Sequence, residues 1–382
     1  MISTFSFPNQ MVFGPGALNQ LPDLLKTCNA TRVLLVTDPG LVKIGLAERT
    51  LNLLQGPATC FDQVTPNPNE ACLEAAVDVM RSTSCDFVVG LGGGSAMDTA
   101  KAVCLRLNHD QSLTEYEIQN NGAQKVTAHV PGCIAIPTTS GTGSEVGRSA
   151  VITLKDGNRK AILNTPKILP RVALCDPELT LGLPPQITAA TGMDALTHNI
   201  EAYLSTTYHP PCDAVALGGV RLAAQNLETA VKDGQNIDAR ANMMMAASMG
   251  AIAFQKDLGV AHALAHPLST LANVPHGLAN AIMLSHTMKF NREAAPDRLK
   301  DIALALGCST AGLSVNASAT LAADTVHNLL VRLNLPIRLS EAGVPKDLIP
   351  ELAAQAIADA NHTTNPRPCT EADLVALYEA AF

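Results

Sequence analysis

Tryptophan is absent from this 382-residue chain, and aromatic residues of every kind make up only 3% of it. With hydrophobic residues at 47%, its cores have to be built from aliphatic side chains and alanine, which suits closely packed helices. No basic run occurs among its 26 Lys and Arg, and 34 acidic residues leave a net charge of −8. The electrostatic footprint of a nucleic-acid binder is therefore missing. No apolar stretch approaches the roughly 20 residues of a membrane span, so no membrane partner is expected. The first residues, MISTFSFPNQMVFGPGAL, have neither a charged start nor a continuous apolar segment, so a signal peptide is not expected. The ten cysteines are scattered singly from Cys28 to Cys369 without a CxxC pair. That pattern favours reduced thiols and a cytoplasmic location over disulfides.

The length suits two domains better than one. Short apolar runs at 31–38 (TRVLLVTD), 85–95 (CDFVVGLGGGS) and 133–145 (CIAIPTTSGTGSE) end in small or polar residues. Helical patterns such as 69–84 lie between them. Strands alternating with helices predict a parallel sheet covered on both faces, with ligands beyond the carboxyl ends of the strands. The character changes at DPELTLGLPPQ (176–186), whose paired prolines can open a helix but not continue one. Beyond it, Ile187, Ala190, Met193, Leu196, Ile200 and Leu204 recur at the spacing of one helix face. Blocks 235–273, 295–306, 318–333 and 347–360 read the same way. The expected organisation is an α/β domain at 1–182 and an all-helical domain at 183–382.

Asp194 and His198 are four residues apart on a helical pattern and so share a face. His262 and His266 repeat that spacing, and His276 follows ten residues later at a Pro/Gly turn. Imidazole suits iron, zinc, copper and nickel, and a carboxylate adds hard-oxygen character. Such a set could hold a divalent ion and leave a position open for a substrate oxygen. Spacing alone does not separate this from helical histidines that are simply satisfied polar residues.

GLGGGSAMDTAK (90–101) places glycines, Gly93 and Gly94 among them, between an apolar strand and a helix. Backbone amides and the helix N-terminus there suit a pyrophosphate; a plain tight turn fits as well. Ser95 is a candidate N-cap with Asp98 as its capping-box partner. The usual dinucleotide fingerprint puts its acidic residue after the glycines, whereas here Asp38 ends an earlier strand. A carboxylate at Asp38 could hold an adenosine ribose and would repel a 2′-phosphate, favouring NAD over NADP; as an alternative it is a turn residue before Pro39-Gly40. PTTSGTGSEV (137–146) offers the hydroxyls of Thr138, Thr139, Ser140 and Thr142. Lys160 is either a ribose or phosphate contact or a solvated lysine.

Together these segments resemble the iron-containing (group III) alcohol dehydrogenases over nearly the whole chain. The resemblance is carried by FGPGAL (13–18), LLVTD (34–38), PNP (66–68), GGGSAMDTAKA (92–102), IPTTSGTGSEV (136–146) and DPELTLGLPP (176–185). It continues in TAATGMDALTHNIEAYLS (188–205), HALAHPL (262–268), PHGLANAIML (275–284) and NPR (365–367). It implies a Rossmann-like, dehydroquinate synthase-like α/β domain for NAD(P), an all-α metal domain, and an active site in the cleft between them. Asp194, His198, His262 and His276 match the four metal ligands, with Fe2+ the family metal and Zn2+ or another divalent ion acceptable to the set. Asn67, Gly94, Ser95, Thr138, Thr139, Lys160 and Leu179 match cofactor contacts. Asp38 matches the position linked to NAD preference. His266 matches a non-ligand histidine near the nicotinamide, suited to relaying a proton to solvent. Many relatives read AHxLGG where this chain has AHPLSTLANVPHG, which puts Ser269 and Thr270 in question as pocket residues.

The implied function is NAD- and metal-dependent interconversion of small primary alcohols or diols and aldehydes, by a homodimer or higher homo-oligomer. FQKDLGVAH (254–262), HPPCDAVAL (209–217) and DPELTLGLPP (176–185) look closer to the 4-hydroxybutyrate dehydrogenase branch, which keeps an ω-hydroxy-acid dehydrogenase as the alternative, with Arg148 the candidate carboxylate binder. A dehydroquinate synthase-like lyase is a remote alternative, because few Lys or Arg lie near the histidines of the helical half.

Overall fold

The computed structural model describes residues 9–155 and 159–382. The first eight residues of the N-terminal stretch, and Gly157 and Asn158 beside Lys160, lie outside those residues. The chain forms two compact units. One runs to Thr180, apart from Ser140–Thr142; the other is Leu181–Phe382 together with Ser140–Thr142.

In the first unit, six parallel strands form a sheet: β1 (Gln10–Phe13), β2 (Val33–Val36), β3 (Ala58–Phe61), β4 (Phe87–Gly92), β5 (Gly132–Pro137) and β8 (Val172–Cys175). Their spatial order is β1-β8-β5-β4-β2-β3. A separate antiparallel hairpin pairs β6 (Ser149–Thr153) with β7 (Lys160–Asn164). The helices are α1 (Leu21–Thr27), α2 (Pro39–Lys43), α3 (Leu46–Leu53), α4 (Glu70–Ser82), α5 (Gly94–Arg106) and α6 (Gly122–Lys125). β2 and β4 are wholly buried, as their near-continuous apolar runs require of strands covered on both faces. Leu73, Val77 and Met80 of α4 pack with α5 in one apolar cluster, whereas Leu21 and Leu25 of α1 and Leu46 of α3 belong to another. The chain moves outward from β2 to β3, then crosses back to β4. That reversal makes the carboxyl ends of β2 and β4 the switch point where such sheets hold ligands.

The helical unit contains α7 (Pro185–Leu204), α8 (Pro210–Lys232), α9 (Ile237–Ala253), α10 (Val260–Leu271), α11 (His276–Asn291), α12 (Pro296–Ala305), α13 (Val315–Arg332), α14 (Ile349–Ala358) and α15 (Glu371–Ala380). Its core is aliphatic and alanine-rich, as the scarcity of aromatics requires. The single block expected at 235–273 is broken between α9 and α10. Asp257 takes a left-handed φ of 64° there, and Lys256, fully buried, turns inward to pair with Asp213. Periodicity could not see that break, because the apolar spacing resumes after it. No helix among the described residues is long and apolar enough to cross a membrane.

Glycine sets how closely α11 approaches α7. A Cβ at Gly277 would lie 2.3 Å from the Ala190 carbonyl oxygen and 2.8 Å from its carbon, both backbone atoms of α7. Gly277→Ala is therefore expected to destabilise the protein by about 3 kcal/mol, the upper range for overpacking, and to push His276 away from Asp194. Thermal unfolding checks this; an unchanged melting temperature would show that α11 can shift without cost.

Candidate functional site

The chain leaves β2, β4 and β5, three neighbouring strands, through Asp38, Gly92–Gly94 and Thr138–Thr139. Gly92 has φ 150°, and a Cβ on it would sit 2.7 Å from Ala96 Cβ and 3.5 Å from Asp38 Oδ2. The Thr138 amide donates to the Gly92 carbonyl at 3.0 Å. A Cβ on Gly93 would meet Thr139 Oγ1 at 3.3 Å. The glycine turn, Asp38 and the threonine loop thus converge at the switch point. Asp38 also serves as a turn residue: its Oδ1 accepts the amides of Gly40 and Leu41 and caps α2. Its Oδ2 lies on the glycine side.

Ser95 does not cap α5. The helix begins one residue earlier, with Gly93 at the N-cap and no capping side chain. Ser95 Oγ instead donates to the Pro66 carbonyl at 2.6 Å, which draws the loop carrying Asn67 onto the start of α5. Asp98 accepts from Ser144 Oγ at 2.5 Å and from the Val151 amide at 2.9 Å. With no side chain on Gly93 to accept from them, the first amides of a 13-residue helix face the turn, the arrangement that receives a phosphate. Lys160 opens β7 on the separate hairpin, and Leu179 lies in the turn after β8.

In the helical unit, Asp194 and His198 stand one turn apart on α7, His262 and His266 one turn apart on α10, and His276 begins α11. One ligand atom each from Asp194, His262 and His276 lies within 4.8 Å of the others. Asp194 Oδ1 is 3.9 Å from His262 Nε2 and 3.6 Å from His276 Nε2. His198 is outside that set of three, but its ring stacks on His262 with centroids 4.6 Å apart. Its Nδ1 is buried without a hydrogen bond. His266 stacks on His276 at 5.4 Å. Three imidazoles and a carboxylate, nearly all buried, form a donor set that fits a divalent transition metal.

Three further residues organise this cluster. The Glu201 carboxylate receives His262 Nδ1 at 2.5 Å. Asn280 Nδ2 donates to Asp194 Oδ1 at 2.8 Å and faces His262 Nε2 at 3.1 Å and His276 Nε2 at 3.2 Å. Asp359 Oδ2 receives His266 Nδ1 at 2.6 Å, and its Oδ1 accepts the Asn361 amide. Glu201 and Asn280 had a visible signal: Glu201 lies seven residues, or two turns, beyond Asp194 on one helix, and Asn280 four beyond His276. Asp359, 93 residues from His266, had none.

Burial pushes His198 down to about 4, against the opposing pull of Asp194. Burial acts the same way on His262 and is the largest single effect, but the hydrogen bond to Glu201 and the charges of Glu201, Asp194 and Asp359 together outweigh it and leave that histidine above its usual value. Burial would raise Asp359, yet His266 beside it holds the carboxyl below the usual range.

Two family models match. One, described as iron-containing alcohol dehydrogenase, covers residues 8–177; the other, the C-terminal part of the Fe-containing alcohol dehydrogenase family, covers 188–382. The chain belongs to the iron-containing alcohol dehydrogenase family. It is accordingly an oxidoreductase acting on alcohols, with NAD and iron as the family's cofactors. It is 41% identical to a 4-hydroxybutyrate dehydrogenase of Cupriavidus necator over 96% of each chain. It is 38% identical to a 1,3-propanediol dehydrogenase of Citrobacter freundii over 98% of this chain and 97% of that one. Among solved structures, a 1,3-propanediol oxidoreductase superposes with a TM-score of 0.95 at 36% identity, covering all of both chains. A sulfoacetaldehyde reductase of Bifidobacterium kashiwanohense in complex with NAD+ superposes with a TM-score of 0.88 at 30% identity, over 100% of this chain and 99% of that one.

His286, on α11, is also pushed down to about 4, by burial first and then by Lys289 and His327. Unfolding returns it towards 6.5, so the unfolded chain binds the extra proton. The stability this neutral histidine contributes is fully present above about pH 6.5 and is lost as pH falls towards 4. His286→Gln is expected to flatten the acid limb of the stability curve by about 1–2 kcal/mol after discounting for solvent screening. Denaturant unfolding at pH 7 and pH 4.5 checks it; an equal loss in both proteins would contradict the assignment.

Proposed function

We propose that Asp194, His198, His262 and His276 hold one divalent cation, Fe2+ by family with Zn2+ or another divalent ion able to replace it, and that the chain interconverts small primary alcohols or diols and the corresponding aldehydes. The convergence of the Asp194, His262 and His276 ligand atoms carries this reading. A cation held there supplies Lewis acidity, which favours loss of an alcohol's proton and polarises an aldehyde carbonyl. His266 is the proton relay, held by Asp359 at Nδ1 so that Nε2 is the exchanging nitrogen. The proton leaves through it while hydride passes from the carbinol carbon to the nicotinamide.

NAD is assigned to Asp38, Asn67, Gly93, Gly94, Ser95, Thr138, Thr139, Lys160 and Leu179, with His266 on the nicotinamide side. The meeting of Asp38, Gly92, Gly93 and Thr139 supports this. Asp38 explains a preference for NAD, because its carboxylate disfavours the 2′-phosphate of NADP. A cytoplasmic location is supported by ten cysteines of which none is in a disulfide. A homodimer or higher homo-oligomer rests on the family alone.

A specific observation favours a second reading, the ω-hydroxy acids. The Cupriavidus relative is named for 4-hydroxybutyrate, and the half-buried Arg148 has no ion pair among the described residues. Arg148→Ala is then expected to raise the KM for 4-hydroxybutyrate about tenfold, the worth of ~1.4 kcal/mol, with that for 1-butanol unchanged.

The test is NAD+ reduction after anaerobic loading with Fe2+ or Zn2+, with 1-butanol, 1,3-propanediol and 4-hydroxybutyrate as substrates. Metal-dependent turnover is expected, and the best substrate chooses between the readings; no turnover by folded, metal-loaded protein rejects both. Asp38→Ser keeps a capping oxygen for α2 and removes the charge. It is expected to improve kcat/KM for NADP+ about tenfold or more, and an unchanged NAD+/NADP+ ratio would remove Asp38 from the cofactor site.

A further inference from the structure

Glu201 is buried on α7, between two apolar neighbours, and every acceptor position it uses is turned to the start of α10. Oε1 accepts the Ala261 amide at 2.6 Å. Oε2 accepts the His262 amide at 3.3 Å and His262 Nδ1 at 2.5 Å. Ala261 and His262 are the second and third residues of α10, so their amides have no partner within the helix. The N-cap is Gly259, which has no side chain to offer, and a Cβ there would lie 2.7 Å from Glu201 Oε1. Glu201 therefore caps α10 from another helix, and its charge lies at the positive end of the helix dipole.

The same carboxylate governs the His262 ring. An ionised carboxylate only accepts, so Nδ1 carries the hydrogen, and in the neutral ring Nε2 then keeps its lone pair. The far side of the ring agrees. Asn280 Nδ2 must be the nitrogen of its amide, since it faces Asp194 Oδ1 at 2.8 Å, and the same NH2 group meets His262 Nε2 at 3.1 Å. One of its two hydrogens goes to Asp194 Oδ1 and the other lies between His262 Nε2 and His276 Nε2, so a hydrogen on His262 Nε2 would be turned against the NH2 group. Two independent partners thus select one tautomer, and it is the one that directs a lone pair at Asp194 and His276.

We infer that Glu201 is a positioning residue of the metal centre: it fixes the tautomer and orientation of His262 and, by capping α10, fixes where that helix begins. The inference rests on the reading of Asp194, His198, His262 and His276 as metal ligands. A histidine held this way presents its lone pair without rearrangement, and loss of such a partner lowers metal affinity about 10–100-fold.

Glu201→Gln separates the two roles. The carboxamide oxygen can still accept the Ala261 amide, so the shorter of the two capping bonds survives while the 3.3 Å bond from the His262 amide is lost. Its NH2 then faces His262 Nδ1 and needs a lone pair there, which moves the ring hydrogen to Nε2. The metal-free variant is expected to melt within about 4 °C of the parent, while its Zn2+ affinity, measured by competition with a chromophoric chelator, falls about 10–100-fold. Nitrogen-15 shifts of the imidazoles, with the His262 signals identified by their loss in His262→Gln, read the tautomer without any metal. Hydrogen on Nδ1 in the parent and on Nε2 in Glu201→Gln is the expected result. Hydrogen on Nε2 in the parent, or equal Zn2+ affinity in the two proteins, overturns the inference. A parent with the Nδ1 tautomer but no affinity for Zn2+, Fe2+ or Co2+ would instead overturn the ligand reading and leave the tautomer lock standing.

Discussion

Three helices must bring a carboxylate and imidazoles to one buried point, and the helical unit is arranged around that requirement. An isolated carboxylate away from water is costly by several kcal/mol or more unless donors or a cation meet it. Asp194 is buried on α7 with an Asn280 donor and two imidazole nitrogens around it. Close backbone approach is the price of that convergence. Gly277 lets α11 touch the α7 backbone, and Gly250 on α9 fits against His198 Cβ with only 2.9 Å for an added Cβ. Gly219 on α8 leaves room for the buried Asn199 amide in the same way. An aliphatic core poor in aromatics allows such spacing, because alanine and glycine at the contacts permit short interhelical distances.

The elements that were easiest to read were those with a strong period and a sharp boundary. The strand ends before Asp38, Gly92 and Thr138 were visible because burial on both faces leaves a continuous apolar run; in α7 the spacing from Ile187 to Leu204 gave the helix but not its burial, since Ile187 is exposed and Gly192 to Leu204 is buried on every side. The gap between α9 and α10 left no such mark. It depends on Asp257 adopting positive φ and on Lys256 finding Asp213, both decided by tertiary contacts. Metal-type residues were legible from spacing and family likeness, but their orienting partners were less so. Glu201 shares the helix of Asp194, whereas Asp359 reaches His266 from a distant segment, and no local pattern records that pairing.

The α/β unit shows a second reason for misreading. Ser95 and Asp98 have the spacing of a capping box, yet neither caps α5. Ser95 ties down the loop at Pro66, and Asp98 binds Ser144 and the β6 backbone. Lys101, one turn further along, is almost wholly buried and adds bonds to the carbonyls of Ser144, Gly147 and Ser149 as well as an ion pair with Asp98. These side chains brace the segment that follows the threonine loop against the glycine helix. A local motif and a tertiary brace draw on the same residue types, and only the surrounding backbone decides between them.

Leaving the start of α5 without a side-chain cap has a consequence for binding. A capping serine would satisfy one of the first amides internally and place an oxygen lone pair where an anion has to approach. With Gly93 at the N-cap, those amides and the positive end of the helix dipole remain directed outward. The stability given up there is compensated by Asp98 and Lys101 in the same helix, whose bonds hold α5 to the following loop and hairpin. Asp38 divides its carboxylate similarly, with Oδ1 holding its own turn and Oδ2 beside Gly92. In both cases a polar group that local rules would use up within its own turn is shared with, or released to, the surface where three strands end. That sharing lets one rigid sheet present fixed donors and a fixed negative charge side by side.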